Sequence, residues 1–342
     1  AKMAVDPKAA AELVPRPAQA ASAVFKDAGH AILRTAGQAG LSGGFTFGPY
    51  GGFHGHLDKL SFVFYGFGEE LGVDPGRAKS QAYRLPIHTH WYKNTLGHNA
   101  VVVGGKPQIG VAGKLELFTA NEQFAAVRAS CDKAYPGVAQ TRLLVMTPEY
   151  LLVFDTNAME NTLNGAPVAN HARFDWIYHG KGKAAECDLA KAAGKLPDNT
   201  DGVEYIQNVK TGSPERPDQA VQARIVGEKI TTWLTFDAQP NTTVYTGDGP
   251  FSNVDERVPL VIVERNTGTF AAVLEPVKNG DKPTVKAVSQ LVPKGGGPAD
   301  RGATGGRTIV IEREGGKDVI EVSADNKTFT LTRDGDKVLA LP

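Results

Sequence analysis

Little in this sequence identifies its setting. Among 342 residues only Cys131 and Cys187 are cysteines. They permit at most one internal disulfide and are too few to reveal the compartment. Neither sign of charge is in excess, with 37 basic against 37 acidic side chains. No global field favours nucleic acid or a membrane surface, so a polyanionic ligand would need a local basic patch. No apolar run approaches the roughly 20 residues that cross a bilayer. The opening Ala1-Lys2-Met3 shows no signal peptide, so the start reads as a processed end or a boundary within a longer chain. Long helical periodicity is missing after residue 25, apart from a short piece near 184–193.

Glycine and proline are plentiful, at 39 and 21 residues. This fits a turn-rich β protein. Residues 1–22, with Pro7, Pro15 and Pro17, read as a linker or the remnant of a preceding helical domain. From residue 23 to 342, short apolar runs alternate with turn signals. Strands are expected at Ala31–Arg34, Leu60–Tyr65, Ala100–Val103, Phe124–Ala129, Arg142–Thr147, Leu151–Asp155, Thr231–Phe236, Leu260–Glu264 and Thr269–Leu274. Four more are expected at Thr308–Glu312, Val319–Ser323, Thr328–Thr332 and Val338–Leu341. Pro148-Glu149, Gly315-Gly316 and Asp334-Gly335 mark hairpin turns between neighbouring runs. The glycine stretches at 295–297 and 302–306 read as a loop. The predicted class is all-β, a large antiparallel multi-sheet sandwich.

Histidine is concentrated. Five of the eight histidines fall between positions 54 and 98. His54 and His56 stand one residue apart, which in an extended segment would place both on one face. Gly51, Gly52 and Gly55 let a ligand or another loop approach closely. Asp74 heads the turn Asp74-Pro75-Gly76, and His98 precedes an apolar strand. Two imidazoles and a carboxylate on three strand ends make a three-ligand zinc site with an open fourth position. The same residues can equally be hydrogen-bonded core histidines and an ordinary turn aspartate. Between them runs Tyr83-Arg84-Leu85-Pro86-Ile87-His88-Thr89-His90-Trp91-Tyr92-Lys93-Asn94. Sugars stack on Trp and Tyr faces, and cationic side chains hold carboxylates. Tyr83, Arg84, His88, Trp91 and Tyr92 are therefore candidate substrate contacts. The alternative is a surface loop anchored by Trp91. His179 could reach the same cleft or be a packed structural histidine.

The phrase Gly48-Pro49-Tyr50-Gly51-Gly52-Phe53-His54-Gly55-His56-Leu57-Asp58-Lys59-Leu60-Ser61-Phe62 resembles the heparinase II/III-like polysaccharide lyases. The resemblance continues through Val73-Asp74-Pro75-Gly76 and Trp91-Tyr92-Lys93-Asn94-Thr95-Leu96-Gly97-His98-Asn99-Ala100, with weaker echoes at Phe174–Gly180 and between Arg265 and Pro276. The alginate-lyase branch is the most similar. The resemblance implies cleavage of uronate polysaccharides by β-elimination, in a cleft between an N-terminal α/α toroid and a β-sandwich. It implies that His54 is the sandwich's catalytic histidine, that His56, Asp74 and His98 hold zinc, and that Tyr83 contacts substrate. It further implies an acidic polysaccharide ligand, a toroid partner beyond this chain, and a periplasmic or secreted location. Val103-Gly104-Gly105 departs from the Val-Asp-Gly common in relatives. A non-catalytic carbohydrate-binding module, with Trp91, Tyr92 and Tyr83 as its stacking platform, is the competing reading.

Overall fold

The computed structural model describes residues 21–77, 84–159, 162–163, 166–167, 173–291, 306–323 and 328–341. Four antiparallel sheets dominate. A first sheet of five strands spans Ala23–Phe25 to Glu69–Gly72 in chain order. A central eight-stranded sheet has at its heart Ala125–Tyr135, Val138–Met146, Leu151–Met159, Thr269–Lys278 and Ile230–Phe236. A six-stranded sheet carries Val101–Val103, Phe174–His179 and Arg257–Arg265. A five-stranded meander from Val285–Leu291 to Asp336–Ala340 closes the chain.

Burial explains the layering. One face of the central sheet packs on the first and six-stranded sheets through Leu144, Val153, Leu234, Phe236, Phe45, Phe64, Trp176 and Val263. Its other face meets the C-terminal meander through Leu143, Val145, Leu152, Val273, Ile309, Ile320 and Leu331. Strands of this middle layer are covered on both faces, so they read as unbroken apolar runs. The meander is covered on one side and alternates, as in Arg307–Arg313.

All thirteen expected strands are present, with ends shifted by a few residues. The hairpins at Pro148-Glu149 and Asp334-Gly335 pair as expected, with Asp334 and Gly335 both at positive φ. The helical piece near 184–193 is not observed: Ala184–Cys187 is a strand, paired with residues 223–226. Ten longer strands went unlisted from sequence, among them Glu69–Gly72 and Gln207–Gly212, whose side chains are largely polar. Both cysteines are buried and free. Among the described residues no helix is long and apolar enough to cross a membrane. The expected glycine loop falls almost wholly on 292–305, outside the described residues.

Candidate functional site

The histidine window forms a cluster of loops at the edge of the first sheet and over the outer face of the six-stranded sheet. Gly52, at φ +62°, opens a short 3-10 turn that ends at His54. His54 is exposed, with its ring edge-on to Phe53 at 5.2 Å. Gly55 is required sterically, because a Cβ there would lie 2.6 Å from the Gly51 nitrogen and 2.8 Å from the Tyr50 ring. His54 and His56 therefore do not share an extended face. The turn leaves His54 outside and sends His56 inward, where its ring centroid lies 5.3 Å from that of His98. His54, His56, Asp58, Lys59 and His30 line one shallow groove of about 300 Å³.

Asp74 belongs to the same cluster. Its Oδ1 accepts the Gly76 amide at 2.7 Å, and its Oδ2 lies 2.6 Å from Nδ1 of His98. Burial would raise the Asp74 carboxyl, but the His98 charge and hydrogen bond and the Gly76 amide outweigh it and hold it at about 2. Burial likewise opposes charge on His98, and the Asp74 carboxylate wins, raising it. His56 is pushed down to about 4, first by burial and then by His98. The Nε2 of His98 is buried without a hydrogen bond of normal geometry.

Two imidazoles and an ionised carboxylate are suitable zinc donors. Their present spacing is not yet that of a metal site. Donors about 2.1 Å from one tetrahedral ion would stand about 3.4 Å apart, wider than the 2.6 Å contact between His98 and Asp74. Among the described residues, no three of His, Cys, Asp and Glu are already arranged around a metal position.

The loop at 84–97 divides the remaining candidates. Trp91 and Tyr92 have no exposed surface, which corrects their assignment as a stacking platform. They lie in a π-helical turn, His88–Tyr92, and cover the outer face of the six-stranded sheet beside Ile177, Leu260 and Ile262. The Trp91 indole donates to the Pro250 carbonyl at 2.9 Å, and the Tyr92 hydroxyl to the Phe251 carbonyl at 2.6 Å. Arg84 is exposed and His88 partly so, with the His88 imidazole lowered by burial, Lys93 and Arg77. Tyr83 lies outside the described residues. His179 is fully buried, edge-on to Trp91 at 5.7 Å, and burial first and His98 second lower it to about 3. It is a packed neutral histidine beneath the cluster.

Sequence reasoning missed the residues that hold this arrangement. Asn99 donates to the carbonyls of Phe62 and Val73 and accepts from the His179 amide, joining three segments. Arg142, fully buried in the central sheet, donates to the carbonyls of Leu60 and Asn99, which follow His56 and His98 in the chain. Leu60 sits at φ +65°, a conformation an L-residue keeps only under such constraint. Lys93 closes the loop from above: its carbonyl accepts the Leu57 amide and its Nζ donates to the Phe53 carbonyl at 2.8 Å. No local sequence pattern marks Arg142, because its partners lie 82 and 43 residues away.

A multi-sheet antiparallel sandwich with a histidine-and-carboxylate loop cluster on its edge defines the class of protein. Residues 17–239, more than half the chain, match the family described as Heparinase II/III-like, C-terminal. The chain belongs to that family. It is 32% identical over 129 residues to an alginate lyase of Stenotrophomonas maltophilia (strain K279a), covering 33% of this chain and 17% of that protein. It is 31% identical over 121 residues to an exo-oligoalginate lyase of Saccharophagus degradans, covering 30% and 16%. The crystal structure of a heparan sulfate lyase from Pedobacter heparinus shares the fold with a TM-score of 0.64 at 14% identity, over 92% of this chain and 44% of that one. The chain thus spans less than half the length of each of these relatives.

Proposed function

We propose that this chain is the β-sandwich part of a polysaccharide lyase that cleaves a uronate polymer, alginate or a glycosaminoglycan, by β-elimination. The observation that carries the reading is the split between two adjacent histidines. His54 is held out on a groove wall, while His56 turns in to meet His98 and Asp74. A purely structural cluster has no use for an exposed imidazole on a groove wall.

Elimination removes the proton at C5 of a uronate and expels the oxygen at C4. The developing charge must be stabilised beside the sugar carboxylate, with a base near C5 and an acid near O4. An imidazole exchanges protons near neutral pH. In this reading His54 either moves the proton or donates a hydrogen bond to the carboxylate. Tyr83, the exposed Arg84 and the partly exposed His88 are the proposed sugar contacts. An N-terminal α/α toroid is the proposed partner that completes the cleft, and a periplasmic or secreted location suits a polymeric substrate.

Zinc on His56, Asp74 and His98 is part of the proposal. Bound there, it would tie three loop ends together and fix the turn that presents His54. There, metal bonds would replace the His98–Asp74 hydrogen bond as the link between the loops. The chain's own residues do the rest: Lys93 anchors the turn to the facing loop, and Arg142 and Asn99 fix the backbone beneath. The binding-module reading loses two of the three aromatics of its platform, since Trp91 and Tyr92 are buried.

The test is unsaturated product, read by its ultraviolet absorbance, from alginate or heparan sulfate with the helical domain supplied. Parent chain should release it and His54→Ala should not, while both fold equally. Equal rates in the two would remove His54 from the chemistry, and no product from any uronate polymer would overturn the lyase reading.

A further inference from the structure

The His54 groove carries a second exposed histidine. His30 opens the strand His30–Arg34, pairs with Thr46 on the next strand, and lines the same groove of about 300 Å³ as His54. Among the described residues it has no hydrogen-bond partner. The fold fixes where it stands. Gly29, at φ +66°, lies so close to Gly48 that a Cβ on it would be 1.9 Å from the Gly48 Cα. The Phe47 amide donates to the Gly29 carbonyl at 2.7 Å. The hairpin turn before His30 is therefore clamped to the segment that leads through Pro49 and Tyr50 into the His54 turn. After it, Ala31 and Leu33 are buried in the core and hold the strand in register.

The groove leaves few groups to recognise a ligand. Gly48, Pro49, Gly51 and Gly55 make up much of its wall and let a ligand approach the backbone. Asp58 and Lys59 are bonded to each other at 2.8 Å, so their charges cancel. His56 turns in toward His98. The two exposed imidazoles, His30 and His54, are left to meet what enters, and they come from separate elements. An imidazole N–H donates to a carboxylate, and does so more strongly when the ring is protonated. The volume lies at the lower end of small-molecule sites, which run from about 300 to 1,000 Å³. It suits a short stretch of sugar rather than a bulky aromatic ligand.

We propose that His30 is a further substrate-binding residue of this groove: its imidazole donates to the carboxylate of the sugar adjoining the one at His54. The inference rests on the uronate-lyase reading above and adds to it a residue that holds the polymer without moving a proton. A uronate polymer carries a carboxylate on each ring, so two imidazoles on one groove can engage successive rings. A contact at the neighbouring ring is made equally before and during elimination. Its loss therefore weakens binding and spares the chemical step.

The experiment follows the histidine rings of the chain by carbon–proton NMR during titration with alginate tetrasaccharide. Cellotetraose is the uncharged control, and sodium acetate at matched carboxylate concentration is the control for free anions. The His30 signal is the one missing from His30→Ala, which should melt as the parent does because the residue is exposed. That signal should move saturably with the uronate and little with either control. His30→Ala should weaken tetrasaccharide affinity several-fold by calorimetry, and His30→Gln, which keeps a donor, should recover part of it. With the helical domain supplied, His30→Ala should raise KM several-fold and leave kcat nearly unchanged. An unmoved His30 signal at millimolar tetrasaccharide overturns the proposal, as does equal movement with either control or unchanged affinity in His30→Ala. Binding at His30 without product from any uronate polymer would sink the lyase reading alone. Product formation with His30 unmoved would sink this proposal alone.

Discussion

Replacing Arg142 by Met tests how the sandwich core controls the site. The Arg142 guanidinium is fully buried and makes a two-point contact with Asp155 at 2.7 and 3.0 Å. Its Nη1 also donates to the carbonyls of Leu60 and Asn99. Met fills much of the volume but leaves Asp155 with only the Trp176 indole, at 3.0 Å. Breaking one side of a buried ion pair costs about 3–5 kcal/mol. The two orphaned carbonyls add to that cost but not independently, because the Leu60 turn can relax. Asp155 limits the total by taking up a proton, since burial already raises its carboxyl despite Arg142. The sign then follows. Without Arg142, the folded state binds this proton more tightly than the unfolded chain, whose aspartate ionises near 4. The variant's own stability therefore falls by up to about 1.4 kcal/mol per pH unit above about pH 4, and its deficit against the parent, whose Asp155 is raised less, is smaller at pH 4 than at pH 7. Urea denaturation of parent and variant at pH 4 and pH 7 measures both effects. The further change Asp155→Leu should recover much of the loss, because no buried charge is then unpaired. A variant within about 1 kcal/mol of the parent at pH 7, or a double variant no more stable than the single one, would refute the reasoning.

Other expected outcomes are as follows. His56→Ala should lose the proposed zinc and melt lower, whereas His54→Ala should keep both, by elemental analysis and calorimetry; equal metal content in the two would sink the ligand assignment. Trp91→Ala should cost about 3–5 kcal/mol in folding stability and act on any sugar affinity only through unfolding, because the side chain has no exposed surface. Asn99→Ala leaves the Phe62 and Val73 carbonyls and the His179 amide unpaired, and should cost about 2–4 kcal/mol by chemical denaturation. Gly55→Ala forces the turn open against Gly51 and Tyr50, so it should depress lyase turnover more than melting temperature.

The strands with strong β-branched and apolar content were readable because burial writes itself into composition. Leu151–Met159 and Ile309–Ile311 could hardly be anything else. Edge strands such as Glu69–Gly72 were not, since their pairing rests on backbone hydrogen bonds that any sequence can make. The histidine window was legible as a cluster, and in the structure His98 hydrogen-bonds Asp74 and its ring lies 5.3 Å from that of His56. The sugar-stacking assignment of Trp91 and Tyr92 failed for a physical reason. An aromatic in a loop can face solvent or cap a neighbouring sheet, and the Pro250 and Phe251 carbonyls that satisfy their polar ends lie far along the chain.

The sequence by itself determined the all-β class, the hairpin turns and the histidine-rich segment with its family resemblance, because alternation, turn chemistry and motif spacing are local properties. Only the tertiary structure decided which histidine is presented and which is drawn inward. It also decided that Arg142 and Asn99 hold the site from below, and that Trp91 is buried rather than open to solvent. Those outcomes depend on which faces the stacked sheets cover, and coverage is set by contacts between segments tens to hundreds of residues apart.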